Sequence, residues 1–120
     1  MAREGALITT WGASVRGREA KALEVFMEFL QYWGKRVAEG KVSEPEVFFA
    51  ADGSHGMAIV RGRVDALNEF WLEDESVRLI DKGQWVVEDL KTHLYFGGSQ
   101  DSIQDLVSIY SENGQQLGYM

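Results

Sequence analysis

The sequence predicts an α+β fold: a four-stranded antiparallel sheet with two helices on one face and a further helix at the C-terminus. Three observations predict it. Short segments rich in β-branched and aromatic residues alternate with segments whose apolar residues recur every three or four positions, in the order β-α-β-β-α-β-α. Clusters of glycine, serine and acidic residues separate the segments. The length of 120 residues leaves room for a single core, so residues 1–120 are read as one domain.

Residues 6–11 (ALITTW) read as the first strand and Gly12 to Gly17 as the turn that follows. Over residues 18–38, Leu23, Phe26, Met27, Leu30, Trp33 and Val37 mark one side of a long helix, and Gly40 is a suitable stop. Val25, Phe29 and Tyr32 widen that side beyond a simple stripe, which implies a second contact with another helix or a partner subunit. After Pro45, residues 46–51 (EVFFAA) and 57–61 (MAIVR) read as a hairpin around the Asp52-Gly53-Ser54-His55-Gly56 loop.

Asp65 caps a second helical stretch on Ala66, Leu67, Phe70 and Trp71, and its pattern continues through Val77, Leu79 and Ile80 to Gly83. The run Glu73-Asp74-Glu75-Ser76 can split it in two. Residues 85–96 (WVVEDLKTHLYF) read as a long last strand ended by Gly97-Gly98, and residues 99–110 as a final amphipathic helix on Ile103, Leu106, Val107 and Tyr110. A split βαββαβ unit of this kind is the ferredoxin-like plan.

Helices cover only one face of such a sheet, yet the strands alternate apolar with apolar. Leu7, Thr9 and Trp11 oppose Ile8 and Thr10; Val47, Phe49 and Ala51 oppose Phe48 and Ala50; Met57 and Ile59 oppose Ala58 and Val60. A lone copy would expose a large apolar patch, so a homodimer that pairs two sheets into a barrel is expected.

Composition narrows the chemistry. Apolar residues make up 45% and charged residues 26%, values of an ordinary globular chain. No apolar run approaches the roughly 18 residues of a membrane span, and the first residues lack the apolar stretch of a signal peptide, so a cytoplasmic location and no membrane partner are expected. The net charge of −7 opposes nucleic acid. With no cysteine and two unpaired histidines, neither a thiolate nucleophile nor a metal site is expected. No dinucleotide fingerprint, phosphate loop or G-x-S-x-G turn is present, and no cofactor is expected.

Two places carry residues suited to chemistry. Arg16 and Arg18 stand where the first turn enters the long helix, where helix N–H groups and two guanidiniums would favour a carboxylate or phosphate; the bland alternative is solvation or pairing with Glu19. In the last strand, alternation puts Asp89, Lys91, His93 and Tyr95 on one side. Facing a barrel interior, His93 would serve as general acid or base and Tyr95 as hydrogen-bond donor, with Trp11 as an apolar wall. On an edge strand the same polar residues would simply guard against aggregation. His55, at the hairpin tip, would reach a pocket mouth or else be solvated.

The run Trp11-Gly12-x-x-Val15-Arg16-Gly17-Arg18-Glu19-x-x-Ala22-Leu23-Glu24-Val25-Phe26, with Glu88-Asp89 further on, resembles a group of short uncharacterised bacterial proteins of the dimeric α+β barrel superfamily. The resemblance spans nearly the whole chain and implies a fold and a bacterial source. Superfamily members include cofactor-free monooxygenases, isomerases, dehalogenase-like and ligand-binding proteins, so it implies no single activity. The first loop also resembles that of acylphosphatase, but no asparagine follows on the central hairpin, since Asn68 and Asn113 lie elsewhere. Three readings stand: a small organic ligand in a pocket between helices and sheet, lined by His93, Tyr95, Trp11 and Arg16; a non-catalytic dimeric interaction or regulatory module; and an anion or acyl-phosphate site at Arg16 and Arg18.

Overall fold

The computed structural model describes residues 3–120. Its elements are β1 (Glu4–Trp11), α1 (Glu19–Ala38), β2 (Glu46–Phe49), β3 (Gly56–Arg63), α2 (Val64–Trp71), α3 (Asp74–Val86), β4 (Lys91–Phe96) and α4 (Gln100–Gln116). The strands form one antiparallel sheet in the order β2-β3-β1-β4. This is the ferredoxin-like βαββαβ plan with an added C-terminal helix.

Register fixes the two faces. Leu7 lies opposite Val60 and Leu94, and Thr9 opposite Ala58 and Thr92; these side chains meet the helices. Leu7, Val42, Val60, Leu67, Phe70, Tyr32 and Trp33 make the core, with Phe29, Val37 and Leu94 packed against it. That core uses the C-terminal half of α1 and all of α2. The N-terminal half of α1 belongs to a looser region described below.

The buried side of α1 is rotated from the expected stripe. Ala22, Tyr32 and Trp33 are buried, whereas Leu23 and Met27 remain 63% and 48% exposed. Aromatic rings win the inward positions because they bury more area. Tyr32 also has a polar task that pins it: its hydroxyl faces both the Phe70 carbonyl, at 2.7 Å, and the Glu73 carboxylate. Arg36 donates to the same carboxylate at 2.6 Å and lies over the rings of Tyr32 and Phe70. Burial first, and the Glu73 hydrogen bond next, push the Tyr32 hydroxyl well above the usual phenol range. The cluster ties α1 to the junction between α2 and α3.

The acidic run at residues 73–76 does split the second helical stretch, between Trp71 and Asp74. The expected strand over residues 85–96 is shorter than its sequence suggests. Trp85 and Val86 finish α3, Asp89 takes a left-handed conformation at φ 53°, and β4 begins at Lys91. The intervening extended residues pair elsewhere: Val87 bridges Ser14, and Gly12 N–H donates to Glu88 O at 2.7 Å. Gly83 does not end the helix. A Cβ there would sit 2.6 Å from Leu90 Cδ2, so glycine is what lets the chain fold back onto α3.

The other face of the sheet is uncovered. Ile8 lies opposite Ile59 and His93, and Met57 opposite Thr10 and Phe48, with Lys91 and Tyr95 on the same side. Phe48 is 54% exposed there. Helix α4 is capped by Ser99, whose hydroxyl accepts from Ser102 N–H, and Arg3 pairs with Asp105 at 2.8 Å. No α4 residue is buried, and Ile103, Val107 and Tyr110 face solvent. Among the described residues, no helix is long and apolar enough to cross a membrane.

Candidate functional site: an apolar cavity under two helices

Where the N-terminal half of α1 and α3 pass over the sheet, they leave a half-open cavity of about 290 Å³. That is near the lower end of the roughly 300–1,000 Å³ range of small-molecule sites. Its origin is local. On α3 the inward positions Ser76, Leu79, Ile80 and Gly83 follow helical spacing, and two of them are small. Ala22 is the matching small residue on α1; Leu90 takes the space beside Gly83, and the side-chain volume missing at Ser76 and Ala22 becomes the hollow.

The aromatic wall is Trp11, Phe26, Phe29 and Phe49. Trp11 lies 5.9 Å from Phe26 and 6.2 Å from Phe49 in tilted and edge-on contacts. On the sheet floor, Thr9 and Thr92 occupy directly opposite positions of β1 and β4, and their hydroxyl oxygens are 3.0 Å apart. Ser14 and Glu19 complete the polar part of the lining at the start of α1, and Ser76 is buried beneath α3. Among the described residues, no histidine, lysine or arginine lines the cavity.

Of the residues singled out from sequence, Trp11 lines this cavity. His93 and Tyr95 do not. They stand together on the uncovered face, ring centroids 6.1 Å apart, so the expectation that they line a pocket between helices and sheet is corrected. The alternation was read properly, but the helices cover its Thr92–Leu94 side. Arg16 is exposed and also lies outside the lining.

Arg18 donates from Nη1 to the Trp85 carbonyl at 2.7 Å, where a cation complements the C-terminal end of α3. The first loop's Gly12 and Val15 amides donate to Glu88 and Val86 carbonyls. Its donors therefore hold α3 and the following segment in place over the cavity. His55 is exposed at the hairpin tip; Ser54 Oγ lies 2.8 Å from its Nδ1 and donates to Asp52 at 2.6 Å. The Ser54 bonds hold the Asp52 carboxyl below its usual range. With Phe48, Met57 and Lys91, His55 lines a shallow hollow on the uncovered face, and Trp11 forms part of its wall as well.

The residues that sequence reading missed are Ser76, Leu79, Ile80 and Gly83 of α3 and the Thr9–Thr92 pair. The helical spacing of the first four was a usable signal. The threonine pair, 83 residues apart, becomes visible only with the strand register.

No family model and no curated protein matches this chain. Solved structures do. Rv0793 from Mycobacterium tuberculosis superposes with a TM-score of 0.65 at 12% identity, covering 81% of this chain and 97% of its own. Protein SO0527 from Shewanella oneidensis gives 0.63 at 11% identity, covering 81% and 93%. SnoaB, a cofactor-independent oxygenase from Streptomyces nogalater, here with asparagine 63 replaced by alanine, gives 0.65 at 13% identity, covering 82% and 97%. At this level of identity the likeness is one of fold.

Proposed function

We propose that this chain is a small-molecule-binding protein that holds an apolar, ring-containing organic compound in the cavity between α1, α3 and the sheet. The observation that carries this reading is the lining itself: aromatic and aliphatic walls, with a few hydroxyls and a single carboxylate. A hollow of this size exceeds the ~150 Å³ that accommodates benzene and suits one or two fused rings. The direct test is a calorimetric titration with 2-acetylnaphthalene, set beside a variant that fills the hollow from α1, Ala22→Phe. Saturable binding that the variant abolishes supports the reading; equal binding by both proteins refutes it.

The second part of the reading concerns assembly. We infer that the uncovered sheet face, with Ile8, Phe48, Met57 and Ile59, pairs with a second copy of the chain, which would place His93 and Tyr95 inside the resulting barrel. Light scattering at micromolar concentration should give twice the chain mass, and Phe48→Asp should return it to the monomer. A monomeric parent protein would overturn this.

Because SnoaB is described as a cofactor-independent oxygenase, oxygen uptake in the presence of a bound compound is the turnover assay to run first. The lining offers no group with an obvious acid–base role apart from Glu19, which favours binding over catalysis.

A further inference from the structure

The cavity's polar atoms are few enough to define what a ligand must bring, and this inference rests on the binding reading above. Each threonine hydroxyl has one hydrogen to donate and two lone pairs to accept with. At 3.0 Å the Thr9 and Thr92 hydroxyls share one hydrogen bond, whichever of them donates. That leaves one hydroxyl hydrogen without a partner in the pair, on an otherwise apolar floor. Tyr32, whose ring also borders the cavity, spends its hydroxyl on Phe70 and Glu73.

Charge decides the rest. Among the described residues the lining contains no cationic side chain, the Arg18 guanidinium is engaged by the Trp85 carbonyl, and Glu19 is the one acidic side chain of the lining. A ligand carboxylate would give up its water for an apolar wall with no counter-charge and would meet Glu19 at the α1 end. A ketone, ether or neutral hydroxyl would lose little water and gain the spare threonine hydrogen.

We propose that the cavity selects neutral ring compounds carrying one oxygen acceptor, which docks on the Thr9–Thr92 pair, and that it excludes their carboxylate analogues. Three probes of one ring system test this by calorimetry at neutral pH: 2-acetylnaphthalene, 2-ethylnaphthalene and 2-naphthoate. The ketone should bind tightest, the hydrocarbon about tenfold more weakly for want of one hydrogen bond, and the carboxylate at least about a hundredfold more weakly. In the Thr9→Val, Thr92→Val double variant, which preserves shape, the ketone should fall to the hydrocarbon's affinity while the hydrocarbon's own is unchanged.

The outcomes separate the two ideas. If the hydrocarbon and ketone bind equally to the parent protein, the cavity reading stands and the threonine assignment falls. Naphthoate binding within threefold of the ketone overturns the charge exclusion. Binding by none of the three overturns both the cavity reading and this one.

Discussion

Ser76 is the position at which stability and binding should move in opposite directions. It is 4% exposed, sits on the inner side of α3 and lines the cavity. Ser76→Leu replaces one hydroxyl by three carbon groups that project into empty space, each contributing about 0.8 kcal/mol when buried. Leucine is also the better helix former by a few tenths of a kcal/mol. Against this stands imperfect fit, which in filled cores costs about 1 kcal/mol. The balance is a gain of about 1–2 kcal/mol, or a rise in Tm of roughly 4–8 °C for a domain of this size. The same carbons occupy the space a ligand would use, so 2-acetylnaphthalene should lose at least about tenfold in affinity. Thermal melts and calorimetry on one preparation read both quantities. A variant that melts lower than its parent would refute the reasoning, because it would show that the region under α3 is already filled.

Tyr32→Phe should lower stability by about 2 kcal/mol in urea unfolding, since it strips a hydrogen bond from a buried carbonyl and from Glu73 without changing shape. Because the folded state raises the Tyr32 hydroxyl above its unfolded value of 10.0, the folded protein keeps a proton that the unfolded chain releases. The Tyr32 contribution is therefore complete below pH 10 and shrinks above it, and the gap between parent and variant should narrow there. Gly56→Val should destabilise by about 1–3 kcal/mol and shift tryptophan fluorescence, because a Cβ at Gly56 would lie 2.7 to 2.9 Å from the Trp11 indole. An unchanged emission spectrum would show that the ring does not rest on that glycine.

The strands and helices that alternate strictly were legible from the sequence, and so was the hairpin around Asp52-Gly53. The stretch from Gly83 to Asp89 was not. Val86 and Val87 have the local preference of a strand and Gly83 that of a stop, yet the helix runs on to Val86, with Leu90 packed into the space beside Gly83. Tertiary context, not local propensity, sets where this helix ends. For the site, Trp11 was legible because a large apolar ring at the end of a half-buried strand must face something. His93 was assigned to the correct side of its strand, and of its two placements the one between helices and sheet failed, since alternation separates two faces without saying which one the helices cover. The hollow itself arises from what is missing at Ser76 and Ala22, and absent volume leaves no mark in a hydrophobic pattern.

Trp11 borders both the cavity and the hollow on the opposite face, with its indole laid across Gly56. One ring is thus a shared wall. In the dimer proposed above, a displacement of that ring by a compound on the helix side would be felt at the contact between copies. Linkage then runs both ways: a compound that tightens association by some factor is bound more tightly by the paired form by the same factor. Affinity measured in dilute and in concentrated solution would differ, and the dependence on protein concentration would report how stiffly the two sides of Trp11 are joined.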